Sequence, residues 1–157
     1  MLNFREAVID DSKQFFDWAN ESAVREQSFN SNVIEWKNHN DWFISKIKDT
    51  KCLMLIFQNE GYNIGQVRFQ KEDDKDALIG VSVSSEHRVK GYANEMLILA
   101  YNFFLNKNPE FCINAYIKNN NLSSKCAFEK AEFEFIEMVV YKGFKSFHYI
   151  KRLNENR

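Results

Sequence analysis

Residues 81 to 93 read V-S-V-S-S-E-H-R-V-K-G-Y-A, the sequence of a β-branched strand, a polar turn and the start of an amphipathic helix. The first amide groups of a helix have no partner within it, and the helix dipole makes that end positive, so this arrangement suits a phosphate or pyrophosphate. Gly91 permits a positive φ and a close backbone approach, while Ala93 leaves room beside an anion. Arg88 and Lys90 add positive charge. The alternative is an ordinary turn with two solvated cations.

Size and composition restrict the class of protein. A chain of 157 residues fits one domain, 1–157, and its 45 % hydrophobic and 27 % charged residues are typical of a soluble globular protein. The 15 % of aromatic residues favours a well-packed interior or a cleft lined by rings. A net charge of −1 gives no general field for nucleic acid, and no apolar run approaches the roughly 20 residues of a membrane span. We therefore expect neither a nucleic-acid nor a membrane partner.

The cysteines and histidines indicate neither a zinc site nor a disulfide framework. Cys52, Cys112 and Cys126 are far apart, the three histidines are scattered, and no C-x-x-C occurs. We expect no metal. The N-terminal segment lacks the apolar core of a signal peptide, so a reducing cytoplasm is the expected location.

Hydrophobic periodicity predicts seven strands, four helices and an irregular segment over residues 21 to 34. Asn59 to Gly61 and Lys142-Gly143 are read as hairpin turns. The predicted strands cover residues 2–8, 52–58, 63–70, 77–84, 111–117, 133–141 and 144–153, and the helices about 10–20, 36–48, 92–105 and 121–130. The order β-α-α-β-β-β-α-β-α-β-β predicts a mixed α/β fold, with a single central, mostly antiparallel sheet and helices on both faces.

Helix caps are also predicted. Asp10, Asp11 and Ser12 offer N-cap side chains for the first helix, and Asn121 offers one for the fourth. The aromatic C-terminal hairpin, with Phe144, Phe147 and Tyr149, is read as core or as a homodimer surface.

The segment R-V-K-G-Y-A at residues 88–93 resembles the Q/R-x-x-G-x-G/A signature of the GNAT-superfamily N-acetyltransferases, which bind the pyrophosphate of acetyl-CoA there. The predicted element order is similar to the GNAT fold. The resemblance implies acetyl-CoA as co-substrate and a bulged strand at 77–84, with the backbone of Val81 and Val83 pairing with pantetheine and one N–H facing the thioester. It also implies cofactor contacts from the turn, at Arg88, Val89, Lys90, Gly91, Tyr92 and Ala93.

A second match lies downstream. Asn121-Leu122-Ser123-Ser124, followed by F-E-K-A-E-F at 128–133, resembles the family's N-x-x-S … Y-E-K-x-G-F segment. The resemblance implies that Asn121 and Ser124 hold the pantetheine and phosphate arm. The alternative is a helix cap with a surface serine.

Two residues depart from the family pattern. Glu132 stands where glycine is common, so the turn after the fourth helix is expected to be made differently. Phe128 stands where many members carry the tyrosine held to protonate the departing CoA thiolate, and a phenyl ring has no proton to give. A thiolate is already a fair leaving group. The candidate substitutes are Tyr101, Tyr116, Cys126 and a water molecule.

A third resemblance concerns the acceptor. Segments at 16–31, 39–43 and 64–69 resemble acetyltransferases of nonulosonic-acid (pseudaminic-type) pathways, which acetylate the 4-amino group of a UDP-linked amino sugar. The alternatives are an acetyltransferase of protein N-termini or small amines, and a non-catalytic acyl-CoA-binding module. The acceptor-binding candidates are Arg25, Ser28, Phe29, Trp42 and Arg68. The two arginines suit a diphosphate or form structural ion pairs, and Trp42 also fits a core position.

The implied reaction is attack of a neutral amine on the acetyl thioester, which requires alignment and stabilisation of an oxyanion. His39 and Glu86 are the predicted catalytic residues, with His87 as a further candidate base. A weak base or a water chain suffices for a ring amine of low basicity. His39 also fits a substrate contact or a surface helix position.

Overall fold

The computed structural model describes residues 1–88 and 90–153, and over these residues it contains seven strands and five α-helices. Val89, a predicted cofactor contact, lies outside them. The strands are β1 (Leu2–Glu6), β2 (Cys52–Asn59), β3 (Tyr62–Lys71), β4 (Asp76–Val83), β5 (Cys112–Lys118), β6 (Glu134–Tyr141) and β7 (Phe144–Arg152). The helices are α1 (Ser12–Ala19), α2 (Ser22–Gln27), α3 (Trp36–Lys48), α4 (Tyr92–Lys107) and α5 (Leu122–Lys130).

All seven strands form one sheet in the order β1-β2-β3-β4-β5-β7-β6. Every neighbouring pair is antiparallel except β4 and β5, which are parallel. The β4–β5 ladder joins only residues 76–78 to residues 112–114, although both strands continue further. Past Leu78 and Asn114 the two strands separate, and this opening positions the site described below.

Each face of the sheet has its own hydrophobic core. On one face α4 and α5 pack on a large cluster that includes Phe69 and Phe104, whose rings stack with centroids 4.5 Å apart. On the other face, Phe15 of α1 and Phe43 of α3 cover Ile56 of β2. Since side chains alternate along a strand, β2 contributes Leu55 and Phe57 to the first core and Met54 and Ile56 to the second. The predicted mixed α/β fold, with one mostly antiparallel sheet and helices on both faces, is confirmed.

The structure differs from the prediction at residues 22–27, which form α2 and not an irregular segment. This helix buries none of its residues, so it has no apolar periodicity from which it could be predicted. The first strand also ends at Glu6, before the predicted Val8. The Asp11 carboxylate accepts the Val8 amide at 2.8 Å and the Arg5 guanidinium at 2.8 Å, and makes no cap bond to α1.

The backbone conformation tests the predictions made for three turns. Glu60-Gly61 and Lys142-Gly143 both have positive φ at the two central positions, as two-residue hairpins require, so both predicted hairpins are confirmed. Glu132 has φ 68°, the left-handed conformation that glycine prefers. The expectation that this turn is made differently is therefore wrong: the backbone is the one glycine would adopt, with a glutamate in it.

The predicted bulge in β4 is also wrong. Residues 77–83 pair with residues 65–71 of β3 in continuous register. Gly65 keeps this pairing close, because a Cβ there would lie 2.4 Å from the Ser82 carbonyl oxygen. The gap in the sheet comes from the short β4–β5 ladder.

Candidate active site

The opening between β4 and β5 leads into a cavity of about 870 Å³, called here the main cavity. It is lined by α2 and the loop after it, by the middle of the sheet, by the start of α4, by α5 and by the β6–β7 turn. A side cavity of about 420 Å³ adjoins it beneath α1 and α3. The two share Val24, Ser28, Trp42, Arg68 and residues 80–82.

The start of α4 forms one wall of the main cavity. Gly91 is the N-cap residue with φ 78°, and no side chain caps the helix. A Cβ at Gly91 would meet nothing within 4 Å, so the glycine is required for its φ and not for space. Tyr92, Ala93 and Asn94 line the cavity, and Asn94 Oδ1 is buried without a hydrogen-bond partner among the described residues. Free amides at the positive end of a 16-residue helix suit an anion.

The two cations of the turn have different positions. Arg88 lines the main cavity, and its guanidinium lies 2.7 Å from the carboxylate of Glu21, just before α2. Glu21 also accepts the Ser85 amide at 3.2 Å, which ties α2 to the turn. Lys90 is exposed and is absent from both cavity walls, so its side chain is not brought to the site.

On β4, Val81 and Val83 are half-buried and line the main cavity. Their strand is paired with β3 on one edge, but the other edge has no ladder partner beyond Leu78. Backbone groups on that edge are therefore available to a ligand chain lying in the opening.

Asn121 and Ser124 also line the main cavity. Asn121 Oδ1 accepts the Ser124 amide at 3.2 Å, so the predicted N-cap of α5 is confirmed and both residues still face the cavity. Phe128 is buried in the same wall, and its ring packs edge-on against Phe133 at 4.9 Å.

The structure separates the predicted substitutes for the missing tyrosine. Tyr101 is buried against Phe133, outside both cavity walls, whereas Tyr116 and Cys126 line the main cavity. The Tyr116 ring stacks on Tyr141 with centroids 4.1 Å apart. Burial raises the pKa of Tyr116, so its hydroxyl stays protonated at neutral pH.

Most of the Arg25 guanidinium is engaged by neighbouring parts of the chain. It donates to the carbonyls of Ala19 at 2.7 Å, Asn30 at 2.9 Å and Asn32 at 3.1 Å, and to Ser28 Oγ at 3.1 Å. These bonds use four of the five guanidinium N–H groups to tie α2 to the end of α1 and to the loop after α2, which leaves one N–H for a ligand in the side cavity that Arg25 lines. Ser28 in turn donates to the Val24 carbonyl at 2.6 Å while facing both cavities.

Arg68 behaves differently, because no hydrogen bond or ion pair satisfies it within residues 1–88 and 90–153. Its guanidinium lies 5.2 Å from the ring centroid of Trp42, and burial lowers its pKa. In the side cavity, Gln66 Oε1 is buried with no partner among the described residues. A cation and an acceptor thus face the same space, together with Trp42, which is half-buried in the wall.

Phe29 reaches across the main cavity from the loop after α2. Its ring contacts Tyr141 at 5.0 Å and Phe144 at 6.0 Å on the β6–β7 hairpin. The loop therefore roofs the cavity on the side opposite α4 and α5. Tyr149 of the hairpin is core, with 1 % of its surface exposed, so it is not part of a free surface.

Of the two predicted catalytic residues, His39 lies in a cavity wall and Glu86 does not. His39 is buried in the wall of the side cavity, so the surface alternative is wrong. Its Nε2 lies 2.9 Å from the Ser12 carbonyl, which can only accept, so Nε2 carries the proton and Nδ1 the lone pair. Burial lowers the pKa of His39 and keeps the ring neutral near pH 7.

Glu86 is exposed and lines neither cavity, because the 3₁₀ turn at residues 85–87 directs it to solvent. The structure does not support its catalytic role. His87 lines the main cavity, with Nδ1 2.7 Å from Ser84 Oγ.

Charge in the cavity walls is of one sign. The described residues that line the two cavities include no aspartate or glutamate. The basic residues in the main wall are Lys46, Arg68, Arg88, Lys118, Lys130 and Lys142. Sequence reasoning missed Lys118, Gln27 and Gln66, since a lysine at the end of an apolar strand and two isolated glutamines carry no motif.

The described residues contain no group of three or more His, Cys, Asp or Glu side chains placed to hold a metal ion. No helix among them is long and apolar enough to cross a membrane.

The comparisons with known proteins agree on the fold. A family model described as "Acetyltransferase (GNAT) domain" matches residues 1–134, while no curated protein matches the sequence. The aminoglycoside acetyltransferase AAC(6')-Ib, solved with coenzyme A, is 16 % identical over 98 % of this chain and 95 % of its own, with a TM-score of 0.83.

Two further structures are similar. Spermidine N-acetyltransferase from Vibrio cholerae, solved with CoA and spermine, is 14 % identical over 95 % of this chain and 93 % of its own, with a TM-score of 0.84. The ribosomal alpha-N-protein acetyltransferase RimL, in complex with coenzyme A, is 13 % identical over 96 % of this chain and 93 % of its own, with a TM-score of 0.83.

Proposed function

The chain belongs to the GNAT acetyltransferase family, and we propose that it transfers the acetyl group of acetyl-CoA to the amine of an anionic small molecule, such as a nucleotide-linked amino sugar. Membership makes the protein an acyltransferase. What we propose beyond family membership is the anionic class of the acceptor. It is supported by the main cavity wall, whose described residues include six basic side chains and no aspartate or glutamate.

Acetyl-CoA is proposed to lie along the opening between β4 and β5. The amides at the start of α4, which follow Gly91 in the chain, suit the pyrophosphate of acetyl-CoA. Asn121 and Ser124 would border the pantetheine arm. The free edge of β4 at Val81 and Val83 would pair with pantetheine. In this arrangement the thioester would lie over the middle of the sheet, where the two cavities join.

The acceptor nitrogen would attack the thioester carbon, the resulting tetrahedral oxyanion would collapse, and the CoA thiolate would leave. The amine must lose one proton, and neutral His39, with a free lone pair on Nδ1, is proposed to take it directly or through water. The thiolate gains a proton, for which Tyr116 and Cys126 are the candidates in the wall. Phe128 can supply none.

Charge distinguishes the proposed acceptor from those of the structural neighbours. Polyamines and aminoglycosides are polycations. The described walls of the main cavity hold six cations, of which only Arg88 and Lys46 have a carboxylate of the described residues within 4 Å, so this cavity would repel a polycation. An acceptor with phosphate groups would instead be attracted. Arg68, with Trp42 beside it, is proposed to hold an anionic or hydroxyl-bearing part of that acceptor, and Ser28 and Phe29 line its path.

The test measures release of CoA thiol by the purified protein with acetyl-CoA and a panel of amines. We expect turnover with a UDP-linked 4-amino sugar and at least tenfold lower kcat/KM with spermidine, kanamycin and an N-terminal peptide. Preferred turnover of spermidine or kanamycin would refute the anionic acceptor. Tight CoA binding with no turnover of any amine would favour the acyl-CoA-binding alternative.

A further inference from the structure

Lys118, the last residue of β5, is a buried cation without a counter-charge. Only 8 % of its surface is exposed. Its Nζ lies 3.9 Å from the ring centroid of Phe144 and 5.9 Å from that of Phe29, and donates to the Glu26 carbonyl at 3.2 Å. No carboxylate of the described residues lies within ion-pair distance of it.

This environment compensates the ammonium only in part. An ammonium has three donors and one is used, while two ring faces offset some of the lost hydration. A desolvated charge without a partner weakens a fold, so a role in stability alone does not explain this lysine. Because Lys118 also lines the main cavity, an anionic ligand could supply the missing charge.

Two neighbours add to the same wall. Gln27, which follows the Glu26 that accepts from Lys118, lines the main cavity, and its Oε1 is buried without a partner in the described part of the chain. Lys142 lies in the β6–β7 turn, with Nζ 5.5 Å from the Tyr141 ring centroid, and lines the cavity too. A ligand that meets two ammonium groups is more plausibly a phosphate, with up to two negative charges, than a carboxylate, with one. The Gln27 amide oxygen suits a hydroxyl of the ligand next to that phosphate.

This place is separate from the pyrophosphate turn. Lys118 lies two residues after Tyr116 on β5, so both side chains project from the face opposite Ile117, which belongs to the core beneath α4 and α5. Its contacts come from α2, the loop after α2 and the first residue of β7.

We propose that Lys118 and Lys142 bind a phosphate or diphosphate group of the acceptor, and that Gln27 Oε1 accepts from a hydroxyl beside it. The inference rests on the proposed function for placing the acceptor in this cavity. It replaces Arg25 as the diphosphate contact, since Arg25 in α2 donates to carbonyls of Ala19, Asn30 and Asn32.

The experiment is calorimetric titration of uridine diphosphate, and separately of uridine, into protein saturated with coenzyme A, which fills the cofactor's own phosphate site. The variants are Lys118→Met, Lys118→Arg and, as a matched control, Lys145→Met, an exposed lysine of β7 outside both cavity walls. We expect wild type to bind uridine diphosphate at least tenfold more tightly than uridine. Lys118→Met should lose that preference, Lys118→Arg should keep it within about threefold, and Lys145→Met should match wild type.

Thermal unfolding separates this role from a structural one. Removing an uncompensated charge should leave the midpoint of Lys118→Met unchanged or higher, whereas a lower midpoint with unchanged affinity for uridine diphosphate would overturn the proposal. Equal binding of the two ligands by wild type would overturn it as well. Turnover of an amino sugar with an unaltered KM in Lys118→Met would refute this subsite and leave the proposed function intact. Binding of uridine diphosphate that depends on Lys118, without turnover of any amine, would support this subsite and refute the proposed function.

Discussion

Replacing Gly91 by alanine should weaken coenzyme A binding without any steric clash. A Cβ at this position meets no atom within 4 Å, so the added methyl group fits. The backbone, however, has φ 78°, which an L-residue with a Cβ adopts only at a cost. The variant therefore tests whether the left-handed N-cap, and the amides it directs into the cavity, holds the cofactor.

The magnitude follows from the conformational cost. A left-handed conformation costs an L-residue about 1–2 kcal/mol, and about 1.4 kcal/mol corresponds to tenfold in a dissociation constant. If the free turn relaxes in Gly91→Ala and must be restored on binding, the affinity for coenzyme A should fall about 5- to 30-fold. Gly91→Asn should lose less, because asparagine tolerates this conformation, and Gly91→Val should lose the most, because a β-branched residue tolerates it least.

The assay is calorimetric titration of coenzyme A, combined with urea unfolding of the same proteins. Gly61→Ala is the matched control, since Gly61 has φ 84°, equally open space around its Cβ position, and a place in the β2–β3 turn outside both cavity walls. It should lower the free energy of unfolding by about 1–2 kcal/mol and leave the affinity for coenzyme A unchanged.

Equal affinity for coenzyme A in wild type and Gly91→Ala, together with equal free energies of unfolding, would mean that this backbone conformation contributes to neither binding nor stability. Loss of stability in Gly91→Ala with full affinity would show that the turn is structural only. Either result would refute the assignment of the pyrophosphate site to the start of α4.

Three further changes follow from the same structure. Glu132→Gly should raise the free energy of unfolding by about 0.5–1 kcal/mol in urea, because φ 68° suits glycine, and a less stable variant would contradict this. The hydrogen bonds from Arg5 hold the pKa of Asp11 below its usual range, so this carboxylate stabilises the fold above about pH 4 and the contribution is lost as the pH falls through the lowered pKa. Unfolding of Asp11→Asn should accordingly depend less on pH between about 5 and 2, and an unchanged slope would count against the pair. Arg25→Met removes four hydrogen bonds from the cavity roof, so KM for the acceptor should rise severalfold while KM for acetyl-CoA stays constant, and the opposite pattern would place Arg25 at the cofactor.

Local sequence patterns determined those elements whose apolar residues recur with a clear period. The helix over residues 36–48 has the predicted bounds, and the Asn121 cap forms as expected, because both depend on neighbours in the chain. The same kind of reasoning failed for α2, which has no buried face, and for the conformation of Glu132, which the chain adopts at a cost.

For the site, the sequence by itself determined the parts that are local: the turn ending at Gly91, the start of α4 and the start of α5. Only the tertiary structure decided how distant side chains are used. In the folded chain Arg25 of α2 donates to carbonyls at the end of α1 and in the loop after α2, and Glu86 faces solvent. Arg68 and Lys118 lie in the cavity wall without an ion-pairing carboxylate among the described residues. The physical reason is that the charge of a side chain is written in the sequence, whereas its partners and its exposure to water depend on segments brought together from far along the chain.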